Sequence, residues 1–147
     1  WVHEGGISTP LIVRWPGEVR PGSITHQVGH IIDLLPTCAE LGGAEYPRQV
    51  DGRDILAVEG RSLLPVFRGT PRDAPKRLCW EWAGNRAIRS GDWKLCWDRG
   101  IRRWELYDLK ADRTETIDLA ARHPGRVDAM RDNWFTWASL TGLKVRR

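Results

Sequence analysis

The chain has 147 residues, 41% of them hydrophobic and 29% charged, with a formal net charge of +4. That is enough chain to bury a core, and too ordinary a balance of apolar and charged residues for global disorder. The basic residues are dispersed, and the short run Lys144, Arg146 and Arg147 reads as a solvated tail, so no basic stripe marks a nucleic-acid partner. No stretch approaches the roughly 18 consecutive apolar residues of a membrane span. The first residues also lack the charged and apolar regions of a signal peptide.

The chain begins with "WVHEGGISTPLIVRWPG". A polar, glycine-hinged loop of this kind connects two elements, and only the following one is present; the loop is therefore expected to lead out of structure lying upstream. Pro10 and Pro16 bracket "LIVRW", a run of β-type composition predicted to be a strand. After the loop "GEVRPGS", residues 24–28 read as a brief extended piece and residues 32–41 as a helix. Asp33 suits the first turn, Pro36 is tolerated there, and Gly42 and Gly43 stop the helix. Leu34, Leu35, Cys38 and Leu41 share one side at helical spacing, so this helix should pack on something. Residues 44–76 are rich in proline and glycine and read as a connecting segment, with one helical turn over residues 62–67 capped by Ser62.

The pattern then changes. "RLCWEWAG", "NRAIRSG", "DWKLCWDR" and "RRWELYDL" are short aromatic and β-branched runs about ten residues apart, which predicts an antiparallel meander. Tight turns are expected at "SGD" and "DRG". Asp118 is placed to cap a turn over residues 119–122, and Pro124 suits the first turn of a helix reaching about Leu140. Val127, Met130, Trp134, Trp137 and Ala138 form the stripe that would lie on the meander. The nine tryptophans are expected mainly to pack sheet against helix, with one or two left for a ligand pocket. Cys38, Cys79 and Cys96 have no metal-ligand spacing; Cys79 and Cys96 could neighbour one another on paired strands, but buried free thiols are the reading adopted. His26 and His30 are four apart yet have no third ligand in view, so no metal role is assigned to them.

Taken together, "HEGGISTPLIVRWPG", "HIIDLLPTCAELGGAEYP", "GRSLLPVFRG", "WEWAGNRAIRSGDWKL" and "WELYDLKADRTETIDLA" resemble, in order, the C-terminal portion of an arylsulfatase-type sulfatase of the alkaline phosphatase-like superfamily. The resemblance runs from Trp1 to about Gly142. It implies a parent enzyme that hydrolyses aryl or carbohydrate sulfate esters using a formylglycine and a divalent cation, usually calcium. It further implies an α+β chain: the last strand and helix of an α/β catalytic domain (residues 1–45), a connecting segment (46–76), and a small four-stranded antiparallel sheet with a terminal helix (77–147). The implied partners are the upstream catalytic domain and a sulfate-ester substrate; a periplasmic or secreted address is compatible with the resemblance, which does not fix one. None of the three cysteines begins the Cys/Ser-x-Pro-x-Arg motif of the family, and Asp132-Asn133 lies on the predicted helix rather than in a metal loop. The sulfate-contacting lysine of the family would fall just ahead of Trp1. The chain by itself is thus expected to hold no catalytic residue, no metal and no turnover.

For substrate contact the sequence offers two places. His3, Glu4, Gly5 and Gly6 combine titratable side chains with glycines whose backbone amides can approach an anion, with bracing of the loop as the alternative role for Glu4. Trp82 and Asn85 flank a turn at Gly84-Asn85, where an indole can stack on a sugar or aryl group and an amide can donate and accept. Two rival readings are a non-catalytic Trp-rich carbohydrate-binding module and part of a related phosphoester or phosphonate hydrolase.

Overall fold

A computed structural model describes residues 1–73 and 75–145. Ala74 of the connecting segment and Arg146 and Arg147 of the basic tail lie outside the described residues. In chain order the elements are α1 (Glu4–Ile7), a 3-10 turn (Ile31–Asp33), α2 (Leu34–Leu41), β1 (Gln49–Val50), β2 (Arg53–Asp54), α3 (Leu64–Phe67), β3 (Leu78–Trp82), β4 (Asn85–Ser90), β5 (Trp93–Asp98), β6 (Arg103–Asp108), a second 3-10 turn (Ala120–Arg122) and α4 (Pro124–Leu140). They form two compact units, one made of Trp1–Pro10 with Lys76–Arg147, the other of Leu11–Pro75.

The first unit carries the expected meander, a four-stranded antiparallel sheet in the order β3-β4-β5-β6. Side chains alternate across a strand, so the register sorts the sheet into two faces. One face holds the row Cys79, Ile88, Leu95 and Leu106. Onto it α4 lays Met130, Trp134 and Ala138, with Val127 and Trp137 packed at the margin. The Trp134 indole N–H donates to the Trp80 carbonyl (3.0 Å) on the edge strand β3. At the opposite edge, the Leu119 amide bonds the Leu106 carbonyl (2.8 Å) and Asp118 accepts from the amides of Leu106 (3.0 Å) and Ala120 (2.8 Å). Asp118 thus caps the second 3-10 turn as expected and also covers a sheet edge. Pro124 stands at the start of α4, where its missing N–H costs nothing.

The other face holds the row Trp80, Ala87, Cys96 and Glu105 and, one step along, Lys94 opposite Tyr107. It is covered by the start of the chain. Val2 is buried in a cluster with Ala87, Cys96, Tyr107 and Leu109, and α1 follows immediately.

In the second unit a single carboxylate organises the backbone. Asp33, buried, accepts from the amides of His30 (2.8 Å) and Arg61 (2.9 Å) and from the Arg72 guanidinium (2.7 Å). Arg72 in turn donates to the carbonyls of Val28 (2.8 Å) and Arg61 (2.7 Å). The Thr37 hydroxyl donates to the Asp33 carbonyl (2.6 Å) and accepts from the Leu63 amide (2.8 Å), which ties α2 to the entry of α3.

Several sequence expectations are corrected here. The run 11–15 is not a strand: among the described residues it has no strand to pair with, and extended composition without a ladder partner makes no sheet. The segment after Trp1 is a helical turn, α1, rather than an irregular loop. The connecting segment contains the small hairpin β1–β2, turned by Asp51 and Gly52 at positive φ. The turn between β3 and β4 is Ala83-Gly84, because Asn85 pairs with Trp82 and begins β4. The apolar side of α2 is exposed at Leu34, Leu35, Cys38 and Leu41, and the buried residue of that helix is Thr37. Cys38 is therefore an exposed thiol, while Cys79 and Cys96 stand on strands separated by β4 and all three are free.

Candidate functional site

The N-terminal segment is seated on the sheet through a buried ion cluster. Lys94, on β5, is 0% exposed. Its ammonium lies 2.8 Å from a carboxylate oxygen of Glu4 and 2.8 Å from one of Glu115. The second oxygen of Glu115 accepts the Glu4 backbone N–H at 2.5 Å. Three residues far apart in sequence therefore close a ring that holds both the main chain and the side chain of Glu4. A buried ammonium without partners costs several kcal/mol, and breaking such a pair on one side costs about 3–5 kcal/mol.

Glu115 reaches this position because the loop after β6 is built to present it. Asp112 accepts from the amides of Thr116 (2.7 Å) and Ile117 (2.8 Å) and from the hydroxyls of Thr114 (3.3 Å) and Thr116 (3.1 Å). Those bonds, the Ile117 amide foremost, hold the Asp112 carboxyl below the usual aspartate range. Glu115 itself sits at φ +58, a left-handed conformation that turns its side chain back toward the sheet.

Beside the ring, His3 Nε2 lies 3.6 Å from Glu105, and the His3 ring meets the Tyr107 ring edge-on at 6.0 Å. Glu105 also accepts from the Tyr107 hydroxyl (3.0 Å) and from Arg103 (2.9 Å). Burial, reinforced by the bond to Glu105 and its charge, pushes the Tyr107 phenol up, so it remains a donor. The Cys96 thiol, 3.9 Å from Glu115, is likewise pushed up, by burial first, with the opposing pull of Lys94 too weak to reverse it.

Of the residues singled out from sequence, His3, Glu4, Gly5 and Gly6 therefore stand together over β5 and β6. Gly5 and Gly6 are exposed, while Glu4 is turned inward to Lys94. Trp82 and Asn85 stand at the β3–β4 turn. Trp82 is 67% exposed, an open indole face. Asn85 is buried and spends both ends of its amide internally, donating to the Trp82 carbonyl (3.2 Å) and accepting from the Arg99 amide (3.0 Å). Lys94, Glu105, Tyr107 and Glu115 were not singled out by sequence reasoning. Alternation in "DWKLC" and "RWELYD" places the first three on one face; nothing local announces Glu115.

Among the described residues no group of three or more His, Cys, Asp or Glu side chains is arranged to hold a metal ion. The carboxylates of the cluster are committed to Lys94, Arg103, Tyr107 and the Glu4 amide, so these residues do not fit a divalent cation.

A four-stranded meander backed by a terminal helix, with a glycine turn strapped to its other face, is the architecture of a sulfatase C-terminal domain. Residues 1–127 match the family described as N-sulphoglucosamine sulphohydrolase, C-terminal, and the chain belongs to the sulfatases of the alkaline phosphatase-like superfamily. It is 34% identical over 149 aligned positions to an uncharacterized sulfatase of Schizosaccharomyces pombe, covering 97% of this chain and 27% of that protein. It is 31% identical over 140 positions to a sulfatase of Formosa agariphila, covering 84% of this chain and 25% of that one. Among solved structures, one determined in complex with its substrate D-glucosamine-2-N,6-O-disulfate superposes with a TM-score of 0.63 at 25% identity, over 87% of this chain and 27% of that chain. The chain thus spans about a quarter of the length of these relatives, from 25% to 27%.

Proposed function

We propose that this chain is the C-terminal part of an enzyme that hydrolyses sulfate esters, with sulfated carbohydrates as the preferred substrate class. The observation that carries the reading is the match of residues 1–127 to a sulfatase C-terminal family, with a similar solved structure holding a sulfated glucosamine. In this reading residues 1–45 close the catalytic domain, 46–76 connect, and 77–147 form the C-terminal subdomain. The exposed apolar side of α2, with Leu34, Leu35 and Leu41, packs on the upstream catalytic domain. That domain supplies the formylglycine nucleophile and the divalent cation.

Sulfate-ester cleavage needs a nucleophile, stabilisation of charge on the group being transferred, and an acid for the leaving oxygen. This chain's share is to shape the cleft. His3, beside the exposed Gly5 and Gly6, borders the anionic group, with Glu105 and Tyr107 orienting its ring. Trp82 offers an exposed indole on which a sugar ring can stack. Glu4 braces the turn, and Asn85 holds the hairpin that carries Trp82.

The test is sulfate release from a sulfated glucosamine and from a chromogenic aryl sulfate, by the full-length protein and by the 147-residue chain alone. Turnover by the full-length protein and none by the chain is expected. Turnover by the chain alone, or saturable sugar binding by a full-length protein without hydrolysis, overturns the reading; the second result would favour a binding module.

A further inference from the structure

We propose that Lys94 is a positioning residue for the sulfatase reaction, acting through Glu4 and Glu115 to hold the His3–Gly6 turn in place; this rests on the reading that the turn borders the substrate cleft. An ammonium in this position needs a reason. Of the neighbouring buried positions on the same sheet face, Glu105 is charged but Ala87, Cys96 and Tyr107 are not, and an apolar residue of similar volume often replaces a buried ion pair at no cost in stability. What an apolar residue cannot supply is direction. Lys94 binds two carboxylates from different parts of the chain at equal 2.8 Å distances, and so fixes where each of them stands.

The direction matters because of what Glu115 does with its other oxygen. That oxygen holds the Glu4 N–H, so moving Glu115 moves the first residue of α1. The turn is pinned on its other flank by Val2, buried against Ala87, Cys96, Tyr107 and Leu109, and by the ring contact of His3 with Tyr107. Gly5 and Gly6, in contrast, are exposed. The segment is therefore anchored from behind and open in front, which is the arrangement a rigid sheet needs if it is to set the position of reacting-site backbone on another segment.

Two readouts on the full-length enzyme test this. In Lys94→Met, kcat is expected to fall on the order of a hundredfold with KM little changed, the loss expected from misplacing a site by about an ångström. Hydrogen exchange at the amides of Gly6, Ile7 and Ser8 is expected to rise at least about tenfold, while the amides of β4–β6 keep their protection, separating local release from global unfolding. Lys94→Arg retains the charge and is expected to restore most of the kcat. If Lys94→Met does not fold, Glu115→Gln decides: its amide oxygen still accepts from Glu4 but offers Lys94 no charge, and a reduced kcat with faster exchange at the turn is expected. Unchanged kcat and unchanged exchange in a folded variant would overturn the proposal. A wild-type enzyme releasing no sulfate would instead sink the functional reading, and the exchange measurement would still test the anchor.

Discussion

The carbonyl of Trp1 occupies the space that a side chain on Gly6 would need. A Cβ built on Gly6 overlaps the Trp1 carbonyl oxygen and comes within 3.0 Å of its carbon, both backbone atoms that cannot swing away. A Cβ on Gly5 meets nothing within 4 Å. The two neighbouring glycines are therefore predicted to respond oppositely. Gly6→Ala should displace Trp1 and Val2 from the sheet and lower stability by about 1–3 kcal/mol, the range for strain forced on packed groups. Gly5→Ala should be neutral or stabilising by up to about 1 kcal/mol, since it removes a glycine from a helical turn. Thermal unfolding of the two variants beside the unsubstituted chain checks the contrast, and equal effects would refute it.

Ala83 is held at φ +50 in the two-residue turn between β3 and β4, with Gly84 at φ +86 behind it. Turns of this hand suit the right-handed twist of a hairpin but put a Cβ at Ala83 in a conformation that costs about 1–2 kcal/mol. Asparagine tolerates it. Ala83→Asn is expected to raise stability by about 0.5–1 kcal/mol without moving Trp82 or Asn85. Denaturant unfolding that shows no gain, or a changed m-value, would count against this account of the turn.

These two turns also show what was readable from sequence and what was not. The meander was legible because β propensity and turn residues alternate about every ten residues, and α4 because Pro124 marks its start and an apolar stripe runs along it. The Asp51-Gly52 hairpin was equally marked by a strong turn dipeptide, but its strands are too short to stand out from a proline-rich stretch. The run 11–15 misled for the converse reason: composition reports how a residue behaves once paired, and pairing is a long-range fact. The ion ring was illegible for the same cause. A lysine in an alternating strand is ordinarily read as solvent-facing, and only the fold brings Glu4 and Glu115 over Lys94.

The three cysteines should separate cleanly by reactivity. Cys38 is exposed on α2. Burial pushes the Cys79 thiol up to about 12 against a smaller opposing pull from Arg77, and burial pushes Cys96 up as well. Reactivity follows the thiolate, so a disulfide reagent at pH 8 is expected to label Cys38 rapidly and the other two only after denaturation. The same shifts carry a linkage. A thiol whose folded pKa is raised contributes no pH dependence below its unfolded value of about 8.5, and stability falls as the pH rises above it. Fast labelling of all three in native buffer would show that the sheet does not bury them.

Asp33 makes the opposite prediction at the acid end. Burial alone would raise its carboxyl, but the bonds from Arg72 and from the amides of Arg61 and His30 outweigh burial and hold it below the ordinary aspartate value. The sign follows directly: a carboxyl with a depressed folded pKa adds stability that is fully present above its unfolded value of about 3.9 and is lost as pH falls through the lower folded value. Both side chains of the pair are nearly inaccessible, at 3% and 4% exposure, so solvent screens it little. Asp33→Asn keeps an acceptor oxygen for only one of the two amides and leaves the Arg72 guanidinium buried without its counter-charge, which should cost about 3–5 kcal/mol at neutral pH. Urea unfolding of the two proteins from pH 7 down to pH 3 measures the difference. It should hold steady to about pH 4 and then shrink as the wild-type carboxyl takes up its proton. A gap that stays constant across that range would mean the charge on Asp33 is not what joins α2 to the segment around Arg61 and Arg72.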